Sequence, residues 1–298
     1  MTLLGFLLVI LSCLLHASWN ILGKASKGSS LSFSFVMTLT PAVLLTPFLV
    51  SYFTVVNFAS IPGYFWIVVL LSGFCQMIYL TALISAYRET DVSIVYPVVR
   101  SLPVLMVGLI CCLLGWSLSL FQWLGFVLIV LGCLFVPLSS INEFKLNKYR
   151  SRGLLWAFLS ALGTAGYSVL DKLGLNLLTA ESGESYMFIA VFYLACQAWT
   201  TLLAISLISP LSKNGLSLAA VRETGSRAAL TGILMSVTYG LVLYAMTMVD
   251  NVSFVVALRQ LSIVFGVLMG CWLLKERWYW VRGIGGLVIV VGLMLSLS

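Results

Sequence analysis

Apolar runs follow one another along almost the whole chain, separated by short polar breaks. They lie near 2–23, 31–53, 63–86, 92–114, 120–138, 153–173, 186–208, 227–248, 252–274 and 281–297. A helix rising about 1.5 Å per residue needs about 20 residues to cross about 30 Å of hydrocarbon. The pattern therefore predicts ten transmembrane helices. Only two breaks are sizeable, 139–152 and 209–227, and the second has room for a short amphipathic helix. The other connections are a few residues long, so neighbouring helices run antiparallel.

The runs repeat. Asp91-Val92-Ser93-Ile94-Val95 matches Asn251-Val252-Ser253-Phe254-Val255 at a spacing of 160, a register that continues through Val104/Val264, Cys111/Cys271, Gly125/Gly285, Ile129/Ile289 and Gly132/Gly292. Earlier in each half, Ser12, Ala17, Leu22 and Lys24 match Ser160, Ala165, Leu170 and Lys172 at a spacing of 148. The organisation read from this is a first five-helix repeat at 1–138, a cytoplasmic linker at 139–152 and a second five-helix repeat at 153–298. Because five is odd, the second copy threads the membrane in the opposite sense. The expected fold class is an all-α polytopic membrane protein of ten transmembrane helices in two inverted five-helix repeats. Inverted repeats commonly build alternating-access carriers, with the substrate site where the halves meet.

Composition narrows the class further. The 298 residues are 61% apolar and 8% charged, against roughly a quarter charged in soluble domains, so an aqueous enzyme is excluded. The net charge of +7 does not point to nucleic acid, because its placement follows the membrane. Lys24, Lys27, Arg88, Lys145, Lys148, Arg150, Arg152, Lys213, Arg222, Arg227, Lys275, Arg277 and Arg282 all fall in loops after odd-numbered helices. Loops after even-numbered helices hold only Lys172, near the end of the sixth helix, among Asp171, Glu181, Glu184 and Asp250. The positive-inside rule puts the odd loops in the cytoplasm and both termini outside. Anionic lipid head groups are a sufficient partner for the basic loops. The expected location is the bacterial inner (plasma) membrane. The first run lacks a basic leader and exceeds a signal-peptide core, so it reads as a retained span. The seven cysteines (13, 75, 111, 112, 133, 196 and 271) lie inside apolar runs without CxxC spacing, and read as packing residues rather than disulfides or metal ligands. Glycines such as Gly266/Gly270 and Gly125/Gly132 read as close-packing sites.

Arg100 and Arg259 are the strongest candidate site residues. Each lies eight or nine residues inside its run, about 12–14 Å deep. A central arginine costs about 2.5–3.5 kcal/mol on insertion scales and rarely faces lipid. The pair reads as one cation per half receiving an anionic group, against the alternative that each caps carbonyls or bonds tyrosines. The spans contain no Asp or Glu to neutralise them, which favours a carboxylate or phosphate on the substrate. Pro97 and Pro103 bracket Arg100 and predict a kinked segment at Tyr96 lining the site. Gln260 stands opposite Arg100 in the repeat register. Ser12, His16, Trp19, Asn20 and Gly23 share one helical face, and Ser160, Thr164, Tyr167, Ser168 and Asp171 share the matching face. Such paired polar stripes point inward to a cavity. His16, the sole histidine, could carry a proton. Tyr79 and Tyr239, also 160 apart, join Gln76, Tyr193, Gln197 and Tyr244 as candidates along the route.

In its final stretch, Cys271-Trp272-Leu273-Leu274-Lys275-Glu276-Arg277 followed by Gly283-Ile284-Gly285 and Gly292, the chain resembles the drug/metabolite transporter superfamily, specifically its ten-helix EamA-type members. The resemblance covers nearly the whole chain. That family typically ends the fourth helix of each repeat with an acidic residue, as Glu276 does, whereas the first repeat has Trp116 there. The resemblance implies a transporter and, because the family includes amino-acid exporters, amino acids as substrates to try first. The family's small multidrug members export cations through a glutamate in the first helix. No carboxylate occupies the first helix here, so that mechanism does not carry over.

The function expected is a secondary transporter, an exporter or exchanger, moving a small metabolite such as an amino acid or organic anion by alternating access. The alternatives are a lipid or lipid-phosphate carrier and a non-transporting structural membrane protein. An enzyme is not expected, since convergent acid, base or metal ligands are missing from the pattern. No cofactor, metal or nucleic acid is expected, and the state is monomer or homodimer. A cysteine placed at Asn142 should react with a membrane-impermeant maleimide only from the cytoplasmic side; labelling from outside would reverse the orientation.

Overall fold

The computed structural model describes residues 2–24, 29–89, 92–140, 152–182, 184–211, 216–273 and 277–297. Its helices are α1 (Leu3–Lys24), α2 (Ser30–Val55), α3 (Gly63–Glu89), α4 (Val92–Leu113), α5 (Leu120–Phe135), α6 (Arg152–Ser182), α7 (Tyr186–Ile208), α8 (Leu218–Met246), α9 (Val252–Leu258), α10 (Leu261–Leu273) and α11 (Trp280–Leu297). Among the described residues there is no strand. Seven spans are long and apolar enough to cross a membrane, α9 and α10 counting together as one. Shorter apolar stretches at Leu3–His16, Val98–Leu113 and Leu120–Phe135 complete the ten. The linker expected at 139–152, and Glu276, fall largely or wholly outside the described residues.

Helix starts follow polar residues that bond the first free backbone donors, as capping requires. Ser29 Oγ accepts from Ser32 N at 3.0 Å, and Ser185 Oγ from Phe188 N at 3.3 Å. Ser119 and Gln122 form a reciprocal capping box at 3.2 and 2.9 Å. In the stretch where a short amphipathic helix is expected, α8 begins at Leu218, and Gly225 at φ 62° sets its first turns off from the span.

The packing is organised between repeats more than within them. α3 lies along α6, and its repeat equivalent α8 lies along α1. α5 packs on α11 and α2 on α7, pairs that a two-fold axis maps onto themselves. Two side-chain bonds mark the same symmetry: Ser12 donates to Thr238 O at 3.0 Å, and its equivalent Ser160 donates to Tyr79 O at 3.2 Å.

The α5–α11 contact shows the inversion directly. A Cβ on Gly125 would lie 2.5 Å from Gly292 O, and one on Gly132 would lie 2.7 Å from Gly285 O. The early glycine of one helix meets the late glycine of the other, so these equivalent helices run antiparallel. Only glycine permits backbones this close. Gly266 is different: a Cβ there meets nothing within 4 Å, so the packing role expected for it is corrected.

At one end of the bundle, the end bearing the loops after even-numbered spans, rings fill the space between α2, α3 and α7. Tyr52 stacks on Phe192 with centroids 3.7 Å apart and on Phe188 at 4.9 Å, and Phe65 stacks on Phe192 at 6.0 Å. These rings pack α2, α3 and α7 together at that end.

Gly132→Val and Gly292→Val should each destabilise the bundle by about 1–3 kcal/mol or more, the usual range for overpacking. Gly266→Ala should leave stability unchanged. Thermal unfolding in detergent, followed by tryptophan fluorescence, reads both; equal tolerance at all three positions would contradict the packing.

Candidate functional site

The ninth span is interrupted between α9 and α10, at Arg259 and Gln260. Gln260 N–H donates only three residues back, to Ala257 O (2.9 Å), and Ser262 and Ile263 repeat that reach onto Arg259 O and Gln260 O (3.2 and 2.9 Å). Backbone carbonyls left over by this tighter turn find local donors. Ser262 Oγ donates to Arg259 O at 2.7 Å, Gln260 Nε2 to Val256 O at 3.1 Å, and the Cys13 thiol to Leu258 O at 3.5 Å. A broken helix at membrane depth is tolerated where protein or a cavity meets the freed groups. The fourth span, where a kink at Pro97 and Pro103 is expected, is by contrast one uninterrupted helix, α4.

A small cavity lies against the break. It is lined from both repeats, by His16 on α1, Tyr79, Leu83 and Tyr87 on α3, Val99, Arg100 and Pro103 on α4, Thr164 and Tyr167 on α6, and Val256, Arg259 and Gln260 from the ninth span. The lining reaches Tyr87, two residues from the end of α3 on the side of the odd-numbered loops, opposite the aromatic stack.

Arg259 is 8% exposed. Its Nη2 donates to the Tyr167 hydroxyl at 3.5 Å, and its Cζ stands 5.5 Å from the Tyr239 ring centroid. The negative ring face attracts the cation, most strongly where water is excluded. Tyr167 packs edge-on against Tyr79 and Tyr239, each at 5.5 Å. Gln260 Oε1 is buried in this lining without a hydrogen-bond partner.

Arg100, Arg259, Gln260, His16, Tyr79 and Tyr167 thus meet around one space. Ser168 does not; it is buried and donates to Thr164 O at 2.7 Å. Tyr239 stands behind the cavity rather than in its lining. Trp19, Asn20 and Tyr96 were expected at the site, and their side chains lie outside the described residues.

The largest difference from the sequence reading is a carboxylate inside the bundle. The sixth helix, expected to end near 173, continues to Ser182, so Asp171 is an interior residue and is fully buried. The expectation that no acidic residue lies within the spans is overturned. Asp171 accepts hydrogen bonds from Ser72, Tyr193 (2.9 Å), Gln197 (2.9 and 2.8 Å) and Tyr239. Lys172, expected in a loop, is also buried and donates to Met246 O (3.0 Å) and Val249 O at the end of α8. The adjacent charges of Asp171 and Lys172 imitate a membrane boundary. The apolar residues Leu173, Leu175, Leu177 and Leu178 beyond them were the signal that the span continues.

A second small cavity adjoins this network. Its lining includes Gln76, Gln197, Thr38, Thr201, Ser236 and Tyr239. Gln76 Oε1 there is buried without a hydrogen-bond partner. All seven cysteines are free thiols.

A solved structure titled only as the crystal structure of a protein superposes with a TM-score of 0.69, covering 98% of this chain and 95% of its own, at 17% identity. That likeness shows a shared fold. No curated protein matches the sequence. The model of the EamA-like transporter family matches twice, over residues 3–138 and 151–298, once for each repeat. With both halves matched and ten apolar spans around a polar interior, the chain belongs to the EamA-like transporter family and is an integral membrane protein.

Proposed function

We propose that the protein is a secondary carrier that moves a small metabolite bearing an anionic group across the membrane by alternating access. The observation that carries this reading is the convergence of Arg100 and Arg259, from equivalent spans of the two repeats, on one cavity at their interface.

The two guanidinium groups receive the carboxylate or phosphate. The free Gln260 Oε1 accepts from a hydroxyl or amine of the same solute, and His16, Tyr79 and Tyr167 complete the wall. Amino acids and organic anions are the substrates to test first, with export or exchange as the direction. Access alternates between the side that the Tyr87 end of the cavity approaches and the side now filled by Tyr52, Phe65 and Phe192. With the basic loops in the cytoplasm, the first of these is the cytoplasmic side and both termini lie outside, in a bacterial inner membrane.

Counterflow in proteoliposomes, with amino acids, organic acids and organic phosphates in turn, tests the reading. A hydrogen bond to a charged group contributes about 1.5–3 kcal/mol. Arg100→Ala and Arg259→Ala should therefore each weaken the apparent affinity for the transported anion about 10- to 100-fold. Insertion and the gel-filtration profile should be unchanged. Wild-type counterflow in both variants would remove the two-cation site.

A further inference from the structure

We propose that Asp171 is a proton-binding site linked through Tyr239 to the cationic cavity, so that a proton and a substrate anion are bound together. The linkage rests on the anion reading given above; the proton site itself does not.

Asp171 lies on the repeat interface, and its polar partners are hydroxyls and an amide rather than a cation. Oδ1 accepts from Ser72, Tyr193 and Gln197, and Oδ2 from Tyr239 and Gln197. Every approach to the carboxylate is taken by a donor, an arrangement that suits a charge of minus one and leaves no lone pairs to hold a metal ion. A proton neutralises that charge with one small rearrangement. When Oδ2 carries hydrogen, the Tyr239 hydroxyl turns from donor to acceptor, and no other bond changes.

Tyr239 is also the residue that holds Arg259, whose Cζ lies 5.5 Å from its ring centroid. One side chain therefore touches the buried anion with its hydroxyl and the buried cation with its face. With Asp171 ionised, the two charges offset each other across the ring. With Asp171 protonated, that offset is lost and Arg259 attracts an anion in the cavity more strongly. Linkage is reciprocal, so a bound anion strengthens proton binding by the same factor.

The second cavity offers a water a place beside the carboxylate. It touches Tyr239 and Gln197, two of the four residues that bond Asp171, and the unsatisfied Gln76 Oε1 offers water an acceptor beside them.

The other ionisable groups around Asp171 are compatible with this role. Cys75 on α3 feels the Asp171 charge, Tyr193 on α7 and Tyr239 on α8 bond it, and Tyr167 on α6 contacts Tyr239. Arg259 stands beyond Tyr239, with Arg100 of α4 and His16 of α1 across the cavity. Lys172, next in sequence, is turned away onto the carbonyls of Met246 and Val249.

Infrared difference titration of the full chain reconstituted in lipid, with no substrate present, tests the proposal. Acidification of the wild type should raise a carboxylic-acid C=O band that Asp171→Asn lacks. In Arg259→Gln the same band should appear at a pH higher by about one unit, the lower end of what an opposite charge exerts on a carboxylate. Arg259→Lys, which keeps the charge, should stay near the wild type and separates charge from folding. A wild type without an Asp171-dependent band, or a band indifferent to Arg259→Gln, would overturn the proposal. Failure of anion counterflow alongside an Arg259-dependent titration would instead remove the anion reading alone.

Discussion

A chain surrounded by lipid has no water with which to satisfy a charge, so each buried ionic group must be answered by protein. Among the described residues the constraint falls on three, Asp171, Lys172 and Arg259, all under a tenth exposed. Their solutions differ. Lys172 is absorbed by two carbonyls where α8 ends. Asp171 is met by four donors from α3, α7 and α8. Arg259 rests on two tyrosines and keeps one side toward a cavity. Satisfying Asp171 draws α3, α6, α7 and α8 together, and these helices come from both repeats. The polar network is therefore also a device that fixes the interface between the halves.

The two repeats are alike in backbone and unlike in chemistry. At the spacing of 148, Asp171 corresponds to Gly23 and Thr164 to His16; at the spacing of 160, Ser72 corresponds to Gly232. Tyr79 and Tyr239 are equivalent by position, yet Tyr79 lines the cavity beside Arg259 while Tyr239 bonds the carboxylate. The symmetric residues, notably Gly125, Gly132, Gly285 and Gly292, hold the scaffold at the axis. The asymmetric ones supply charge on one side of it. The chain thus pairs two bundles of like backbone and confines its buried carboxylate to one of them.

Much of this was legible in the sequence because hydrocarbon imposes length and apolarity on every span. The ten runs, the inversion implied by five helices and the meeting of Arg100 with Arg259, Gln260, His16, Tyr79 and Tyr167 all followed from that constraint. What escaped it was local. Prolines drew attention to the fourth span, whereas the interrupted span is the ninth, at Arg259 and Gln260, where Ser262 bonds Arg259 O and Cys13 bonds Leu258 O. No residue type at that position signals a break. Asp171 and Lys172, adjacent in sequence, resembled the end of a helix because two neighbouring charges usually are one. Only three-dimensional packing shows that they point to separate partners. Gly266, read as a packing glycine from its spacing, faces open space because spacing reports a face and not what covers it.

The account holds that two arginines, one from each half, share a single chamber at the seam. The most direct measurement is an experimental structure in lipid of the carrier bound to an anion it transports. The account predicts density for that anion within hydrogen-bond reach of both guanidinium groups, with Tyr239 between Arg259 and Asp171. An anion seated elsewhere, or an Arg100 or Arg259 turned toward acyl chains, would contradict it.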